Sequence, residues 1–523
     1  MLLPANPIDK TIVLRLLELL RTDVLWHRSL WGIGTVFSLD ELLDASAALQ
    51  SGTLSEASVR QMVVACKRLV GKDLVLEKHE KSTLNELLKD VPRFDGLAYH
   101  SLREMRAKIA YNYLLRFRLG LEAGTFDSVD RVARSIAAHL LDSGFSSTYL
   151  TAWFKARIDD TAPRVTLSDL CVEAHEQLSR QADAAFEILV AFKTSPRSAS
   201  GYPPVWLQSS AVSKWLRERG FSTKDVRASG GLVLEIRARD VYSAVESAIG
   251  QVDSFVARSS VATGQAMEPW PLLWVRGHPQ AFPYRKQHRG VQVKALYRED
   301  QIFAKPTASN VDAAIELLAH LQNSSPTAAV AGGWAAVESL LAEPSDRSGA
   351  AESLAGLVAC SIPRAELTHL SRVIAAEFPA HAAALTQCAT NRDRAAYTAR
   401  LIGTDPSFAL SRLTDQLAVI RLRKLLRNPG VALSALQISV ADAFHRLYRQ
   451  RNLILHAGVT DSIALRPTLR TAARLAGAGI DRIAHGYYVE KLTPLELAAR
   501  ARVAIRLVQP GNAEACVDLL GTR

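Results

Sequence analysis

The segment SALQISVADAFHRLYRQRNLILHA, residues 434–457, decides the fold of the C-terminal part of the chain. Its apolar residues recur at helical spacing, which predicts one long amphipathic helix. The apolar stripe of that helix consists of Leu436, Val440, Ala443, Phe444, Leu447, Ile454 and Leu455. Arg451 falls in the middle of the stripe, four residues after Leu447 and four before Leu455. A guanidinium in a core-facing register is costly unless it is paired or borders a wet cleft, so Arg451 is the first candidate functional residue.

Two further polar residues lie beside Arg451 near the end of the predicted helix. Asn452 and His456 are four residues apart and therefore share one helix face. An arginine, an amide and a titratable imidazole thus converge at one place. This combination is suited to handling a phosphodiester, because arginine binds phosphate oxygens and histidine moves protons near neutral pH.

The hydrophobic pattern of the remaining chain changes twice. Residues 1–184 follow a helical pattern, and residues 306–523 are helical again, with an expected insertion at about 343–407. Between them, residues 185–305 predict a small α/β domain of about four strands. We therefore predict a mainly α protein with a small α/β insert, made of an N-terminal helical domain, a central α/β domain and a C-terminal helical bundle.

The central region alternates strand and helix patterns. FEILVAF at 186–192 predicts a buried strand, and LVLEIRAR at 232–239 predicts a half-buried one. Further strands are expected at 272–275 and 291–297. Helices are expected at 210–220 and 241–256.

The overall charge of the chain favours an anionic partner only weakly. The formal net charge is +11, from 63 basic and 52 acidic residues, and arginine far outnumbers lysine. Arginine suits phosphate recognition, which leans toward nucleic acid. A GC-rich genome also favours arginine, and we weigh the two explanations about equally.

The cysteines and the hydropathy of the chain indicate the cellular compartment in which the protein is expected. Five cysteines are far apart and show neither zinc-ligand nor redox spacing, so we expect no metal, no cofactor and a reducing cytoplasm. The first ten residues lack a signal-peptide pattern. The most apolar segment, 328–342, is too short for a membrane span and contains Glu338, so we expect no membrane association.

Three segments of the chain match the pattern Arg-x4-His, and roughly one match is expected by chance. They are Arg134/His139, Arg364/His369 and Arg451/His456. The first pair lies off the apolar stripe of its helix, which predicts a solvated face. That stripe consists of Val129, Val132, Ala133, Ile136, Ala137 and Leu140. In the second, Arg364 follows Pro363, which predicts a helix first turn and access to solvent. The third alone has Asn at the second position and an arginine in the core register.

The segment RNLILH at 451–456 resembles the motif of the HEPN superfamily. These are small helical-bundle domains, many of them RNases, with an Arg-x4-His motif in which Asn often follows the arginine. An upstream helix pattern, GWAAVESLL at 333–341, carries Glu338, which is similar to the acidic residue that many HEPN domains place near the Arg-His pair. The resemblance covers about residues 310–523, and the long insertion departs from the compact family pattern.

The resemblance implies a role for each motif residue. His456 would be the acid/base, Arg451 would stabilise the phosphate, and cleavage would leave a cyclic 2′,3′-phosphate and a 5′-hydroxyl without a metal. Asn452 would orient the substrate or His456, and Glu338 would restrain Arg451 or polarise His456.

Two neighbouring residues on the same predicted helix are candidate substrate-binding residues. Tyr448 lies four residues before Asn452 on the same face, where it can stack on a base or pack as a half-buried aromatic. Arg449, next to it, is the second candidate substrate-binding residue.

The resemblance also implies partners. HEPN enzymes commonly pair two domains around one cleft, and this chain has one convincing motif, so we expect a homodimer with a composite site. RNA is the expected substrate, with tRNA and mRNA as candidate targets. The family's habits suggest a cytotoxic effector in bacterial anti-phage defence or a toxin system, together with an antitoxin or sensor partner.

Two alternatives stay open at the level of sequence. One is a HEPN-like bundle without catalysis that serves as a dimerisation or RNA-binding scaffold. The other is an unrelated helical regulator in which the six motif residues coincide by chance. The structural explanation for the same residues is an arginine that reaches out of the bundle and a histidine that caps the helix C-terminus.

Overall fold

The computed structural model of the chain describes residues 7–159, 166–180, 184–195, 202–285, 288–304, 309–343 and 349–521. Most of these residues are helical, and a five-stranded sheet lies in the middle of the sequence. This confirms the predicted fold class, mainly α with a small α/β insert. None of the helices in the described ranges combines the length and the apolar character that a membrane span needs.

The N-terminal region is built from eight helices in the described residues. They are α1 Pro7–Leu20, α2 Thr35–Gln50, α3 Glu56–Lys72, α4 Lys78–Leu87, α5 Leu97–Glu122, α6 Val129–Asp142, α7 Ser147–Asp159 and α8 Leu167–Arg180. Their apolar faces share one core. The predicted stripe on α6 is confirmed, because Val132, Ile136 and Leu140 are buried in that core.

The central region is a sheet covered by one helix on each face. Its elements are β1 Ala184–Thr194, β2 Trp206–Gln208, α9 Ser209–Glu218, β3 Gly230–Ala238, α10 Val241–Thr263, β4 Glu268–Val275, β5 Phe282–Pro283 and α11 Ala295–Arg298. The strand order is β2-β3-β1-β4-β5, and every pairing is antiparallel. Val190 packs on the α10 side, whereas Leu189 and Ala191 pack with Trp215 of α9. Burial on both faces explains why residues 188–192 of β1 are all apolar instead of alternating with polar ones.

The strand expected at 291–297 is wrong. Residues 288–294 have no regular structure and are followed by the short helix α11. Val291 and Val293 pack against the C-terminal core, and the Ala295 N–H donates to Asp481 Oδ1 at 2.6 Å. These long-range contacts, which the local alternation of residues does not encode, determine the conformation.

The C-terminal region contains nine further helices in the described residues. They are α12 Asn310–Asn323, α13 Pro326–Leu341, α14 Gly349–Glu377, α15 Pro379–Gln387, α16 Asn391–Thr404, α17 Leu413–Arg427, α18 Pro429–Ala457, α19 Leu465–Tyr488 and α20 Pro494–Leu507. Helix α18, which carries the motif, lies between two cores. Phe444 and Leu447 are buried in the C-terminal core, whereas Leu453 is buried in the N-terminal one.

The insertion expected at 343–407 stays a prediction, and the described residues of this segment divide between two cores. Residues Ala350 and Ile362 of α14 mark the ends of a stretch that packs in the main C-terminal core. The second half of α14 forms a separate small core with α15, α16 and α17. Helix α14 also continues through Pro363, so Arg364 lies in the middle of a helix and not in a first turn.

The solvated face expected for Arg134 and His139 is also wrong. Arg134 has 21% of its side chain exposed, and its Nε donates to Asp130 Oδ2 at 2.8 Å. Its guanidinium lies over the ring of Trp31, 4.5 Å from the ring centroid. His139 is 6% exposed. A cation paired with a carboxylate and an aromatic face can occupy a position that the local sequence pattern assigns to solvent.

A buried ion pair joins α18 to the N-terminal helix α2. Arg446 Nε donates to both carboxylate oxygens of Glu41, at 2.9 and 3.1 Å, and Arg449 Nη2 lies 3.5 Å from Glu41 Oε1. All three side chains are buried. Burial alone would raise the pKa of Glu41, but the two arginines outweigh burial and hold the pKa below its usual range.

We predict that Glu41→Ala strongly destabilises the protein. The substitution leaves two buried guanidiniums without their carboxylate, which costs about 3–5 kcal/mol in the free energy of unfolding. Urea unfolding followed by circular dichroism measures the loss. Glu86→Ala is the matched control, because Glu86 pairs with Lys89 on the surface and both side chains are 66% exposed. Equal effects of the two substitutions would contradict the assigned role of Glu41.

A second prediction concerns His139 and pH. Burial, together with the charge of Arg106, lowers the pKa of His139 to about 3, whereas an unfolded histidine titrates near pH 6.5. Below pH 6.5 the unfolded state therefore binds a proton that the folded state does not, and stability falls. The free energy of unfolding should drop by about 2 kcal/mol between pH 7.5 and pH 5 from this group alone.

The variant His139→Leu tests this contribution. Urea unfolding at pH 7.5 and pH 5 should show a smaller loss on acidification in the variant than in the wild type. His79→Leu serves as the control, since the side chain of His79 is 62% exposed. An unchanged pH dependence in His139→Leu would show that His139 does not titrate as described.

Candidate functional site

The two ends of helix α18 are defined by local sequence, and its C-terminal end positions the motif. Pro429 occupies the first turn, where its missing N–H costs no hydrogen bond. Gly458 ends the helix in the left-handed conformation, with φ of 66°, and its N–H donates to Ile454 O at 3.2 Å. His456 consequently lies in the last turn, with its side chain exposed.

The structure brings four predicted site residues together around the guanidinium of Arg451. Arg451 Nη1 is 3.0 Å from Asn452 Oδ1 and 3.0 Å from His456 Nε2. Arg451 Nη2 is 3.6 Å from Oε2 of Glu338, which lies on the neighbouring helix α13. The first two contacts are hydrogen bonds, and the third is a looser ion pair.

The contact between Arg451 and His456 defines the form of the imidazole. A guanidinium only donates hydrogen bonds, so Nε2 of His456 must accept and therefore carries a lone pair. In this geometry Nε2 of His456 is the acceptor of the Arg451 hydrogen bond. An imidazole nitrogen with a lone pair can take a proton from a substrate hydroxyl once the arginine has moved away from it.

The exposure of the four residues places them at the border between core and solvent. The side chains of Arg451 and Glu338 are 23% and 21% exposed, and Asn452 is also half-buried. The expected apolar stripe is wrong at its end, because Leu455 is 53% exposed and Leu453 is buried instead. Arg451 thus faces a partly open surface, which explains how its charge is tolerated.

Tyr448 and Arg449 occupy different positions from those expected of substrate-binding residues. The ring of Tyr448 is half-buried and lies 4.9 Å from the ring of the fully buried Trp334, centroid to centroid. Packing on Trp334 accounts for this tyrosine, and stacking on a base stays a prediction. Arg449 is 5% exposed and faces Glu41, and burial lowers its pKa. Its charge already neutralises Glu41, which argues against a role in substrate binding.

The described residues contain no group of three or more His, Cys, Asp or Glu side chains arranged to hold a metal ion.

The second Arg-x4-His match lies in a cleft that the sequence did not predict. Arg364 and His369 of α14 both line a cleft with a volume of about 890 Å³. Arg364 is 37% exposed and its Nη1 lies 3.2 Å from Asp518 Oδ1, whereas His369 Nε2 lies 3.6 Å from Asp415 Oδ1. No local sequence signal indicates this cleft, because the residues that complete it come from distant parts of the chain.

Comparison with protein-family models, with curated proteins and with solved structures gives no match to this chain. The resemblance to HEPN domains therefore rests on the motif residues alone.

Proposed function

We propose that this protein is a metal-independent endoribonuclease of the HEPN type. The observation that supports this proposal is the arrangement of Arg451, which contacts Asn452 and His456 at 3.0 Å each and lies 3.6 Å from Glu338. These residues supply a phosphate-binding cation and a proton acceptor within reach of one another. RNA carries its own nucleophile, so the reaction needs no other reactant.

In the proposed reaction, His456 Nε2 accepts the proton of the ribose 2′-hydroxyl. The 2′-oxygen attacks the phosphorus, the bond from phosphorus to the 5′-oxygen breaks, and the leaving oxygen takes a proton from an imidazolium. The products are a cyclic 2′,3′-phosphate and a 5′-hydroxyl. Arg451 stabilises the charge that develops on the phosphate oxygens.

Substrate binding must first change the contacts of Arg451. In the free protein, Arg451 Nη1 occupies the lone pair of His456 Nε2 that the reaction uses. A phosphate competes for the same donors with two charge-assisted hydrogen bonds, which are stronger than a hydrogen bond to neutral imidazole. The 3.6 Å spacing to Glu338 is loose enough to let the guanidinium turn while still limiting its position. Binding of phosphate would thus free the general base.

The proton given to the leaving oxygen requires a second titratable group. One motif supplies one histidine, so we propose a homodimer in which His456 of each chain serves one of the two proton transfers. We further propose that the protein acts in a reducing cytoplasm as a cytotoxic effector, controlled by an antitoxin or sensor. All five cysteines are free thiols, and burial raises the pKa of Cys66 and Cys171 to about 12, which suits a reducing compartment.

We predict that the purified wild type cleaves total RNA or tRNA in the presence of EDTA, with cyclic phosphate ends. His456→Ala should lower the cleavage rate by roughly 10²–10⁴-fold through loss of acid/base catalysis. Arg451→Ala should lower it by about 10²-fold or more, and Arg451→Lys should fall in between because lysine keeps the charge but loses the paired donors. Gel analysis of products and their end groups measures each effect.

Two variants control for unspecific effects. His79→Ala and Arg258→Ala remove exposed residues of the same types and should cleave like the wild type. RNA binding without cleavage by any of these proteins would refute the nuclease and favour the RNA-binding scaffold. Cleavage that survives in His456→Ala would show that another residue is the base.

The composite site makes a separate prediction about stoichiometry. Light scattering should give twice the mass of 57.1 kDa. When wild type and His456→Ala are mixed and allowed to exchange subunits, activity should fall with the square of the wild-type fraction, because only homodimers of the wild type hold both histidines. A strict monomer, or activity linear in the wild-type fraction, would contradict the composite site.

A further inference from the structure

The cleft of about 890 Å³ that contains Arg364 and His369 lies away from the Arg451–His456 site. It is bordered by the short turn Trp26–Arg28, by residues 292–299, by helices α14 and α19, and by the C-terminal segment that contains Asp518. Neither Arg451 nor His456 is among the described residues that line it. Its volume of about 890 Å³ is in the range of sites that enclose a small molecule, about 300–1,000 Å³.

The lining of the cleft carries more positive than negative charge. Five cationic side chains line it, namely Lys294, Arg298, Arg364, Arg372 and Arg482. They face three carboxylates, Glu299, Asp481 and Asp518. With histidine neutral, the described lining therefore has an excess of two positive charges, which favours an anionic ligand.

Arginines converge on one end of the cleft, around Asp518. Arg364 Nη1 lies 3.2 Å from Asp518 Oδ1, and Arg392 Nε lies 3.1 Å from Oδ2, so two guanidiniums share one carboxylate. Burial lowers the pKa of Arg364, and the like charges of Arg482, Arg392 and Arg298 lower it further against the opposing effect of Asp518. A bound phosphate would relieve this repulsion between cations.

Two cations at the rim are available to a ligand. Lys294 and Arg372 are exposed, and neither makes an ion pair or a side-chain hydrogen bond with the part of the chain that the structure describes. Each therefore retains all its donors for an incoming anion. Arg372 lies eight residues after Arg364 on α14, a rotation of about 80° about the helix axis, and both side chains line the cleft.

Aromatic side chains flank the cationic residues. Tyr297 is 77% exposed at the rim, and Trp26 is half-buried in the wall. An exposed aromatic ring beside a phosphate-binding cation is the arrangement that recognises a base attached to a phosphate.

The wall also contains a buried imidazole whose ring nitrogens make no hydrogen bond in the described residues, although Glu366 lies within ion-pair distance of it. His27 is 6% exposed, and neither of its ring nitrogens has a hydrogen-bond partner among the described residues. Its Nε2 lies 3.7 Å from Glu366 Oε1, beyond hydrogen-bond distance. Unsatisfied buried polar groups in a cleft are typical of sites that a ligand or ordered water completes.

We propose that this cleft binds a nucleotide, with its phosphates between Arg364, Arg372 and Lys294 and its base against Tyr297. Charge alone would accept any small anion, but the volume far exceeds that of inorganic phosphate and the aromatic surface offers a place for a base. The site is independent of the proposed nuclease centre, so it can be tested in protein that cannot cleave RNA.

Isothermal titration calorimetry of the full-length His456→Ala protein tests the proposal, with ADP, UDP and inorganic pyrophosphate as probes. At least one of the two nucleotides should bind more tightly than pyrophosphate because the base adds stacking. The double variant Lys294→Ala/Arg372→Ala should weaken nucleotide and pyrophosphate binding at least tenfold. A single charge-assisted hydrogen bond contributes about a factor of ten to the affinity. Tyr297→Ala should weaken nucleotide binding and leave pyrophosphate binding unchanged.

Arg258→Ala, an exposed arginine on α10, is the matched control and should leave binding unchanged. All three variants remove only exposed side chains, so their thermal unfolding should match that of the parent protein. No heat from any probe at millimolar concentration, or nucleotide binding that survives the double variant, would overturn the proposal. Equal affinity for pyrophosphate and both nucleotides would show an anion site without base recognition. Tighter binding of a short RNA oligonucleotide than of either nucleotide, lost in the double variant, would assign the cleft to RNA instead.

Discussion

Buried ion pairs hold the N-terminal region of the chain against the C-terminal helices. Arg28 Nε donates to Glu366 Oε1 at 2.8 Å, and Arg28 Nη1 donates to Asp415 Oδ1 at 2.6 Å. These three side chains are at most 7% exposed, so each charge would cost several kcal/mol if it were left unpaired. The pairs fix α14 and α17 against a turn more than 300 residues earlier in the chain. They also exclude alternative registers between the two regions, because any slip separates buried charges.

The same constraint places the motif. Arg446 and Arg449 on α18 face the N-terminal region and neutralise Glu41, and Leu453 is buried in the N-terminal core. The rotation of α18 about its axis is thereby fixed within two turns of the motif. Arg451 is then turned away from Glu41 toward the border with solvent, where Glu338 is its carboxylate partner. Arg449 and Arg451 are only two residues apart, yet their surroundings differ. The pairing of Arg449 with Glu41 fixes the orientation of α18, and Arg451 then faces Glu338.

The elements that follow from local periodicity were predictable from the sequence, whereas contacts with distant partners were not. The apolar stripe on α6 predicts a helix and the apolar run in β1 predicts a strand. Both predictions succeed because the spacing of apolar residues reflects which side chains are buried. Val291 and Val293 alternate like a strand, yet Asp481 and the C-terminal core determine their conformation. Arg449 looks like a free cation until Glu41 is placed beside it. The resemblance to HEPN domains predicts that Glu338 lies near Arg451. The distance of 3.6 Å between the two side chains depends on how α13 packs on α18, which the sequence does not give.

The spacing of Arg-x4-His explains why a sequence match alone does not make a site. Residues five apart on a helix are rotated by about 140°, so their side chains leave the helix on different sides. In the first match Arg134 pairs with Asp130 and stacks on Trp31, and in the second Arg364 turns to Asp518. Arg451 instead reaches His456, with its Nη1 3.0 Å from Nε2 of an imidazole that is exposed in the last turn of α18. Asp130 and Asp518 hold the first two arginines, so the carboxylates that surround each arginine, and not the sequence spacing, decide whether it meets its histidine.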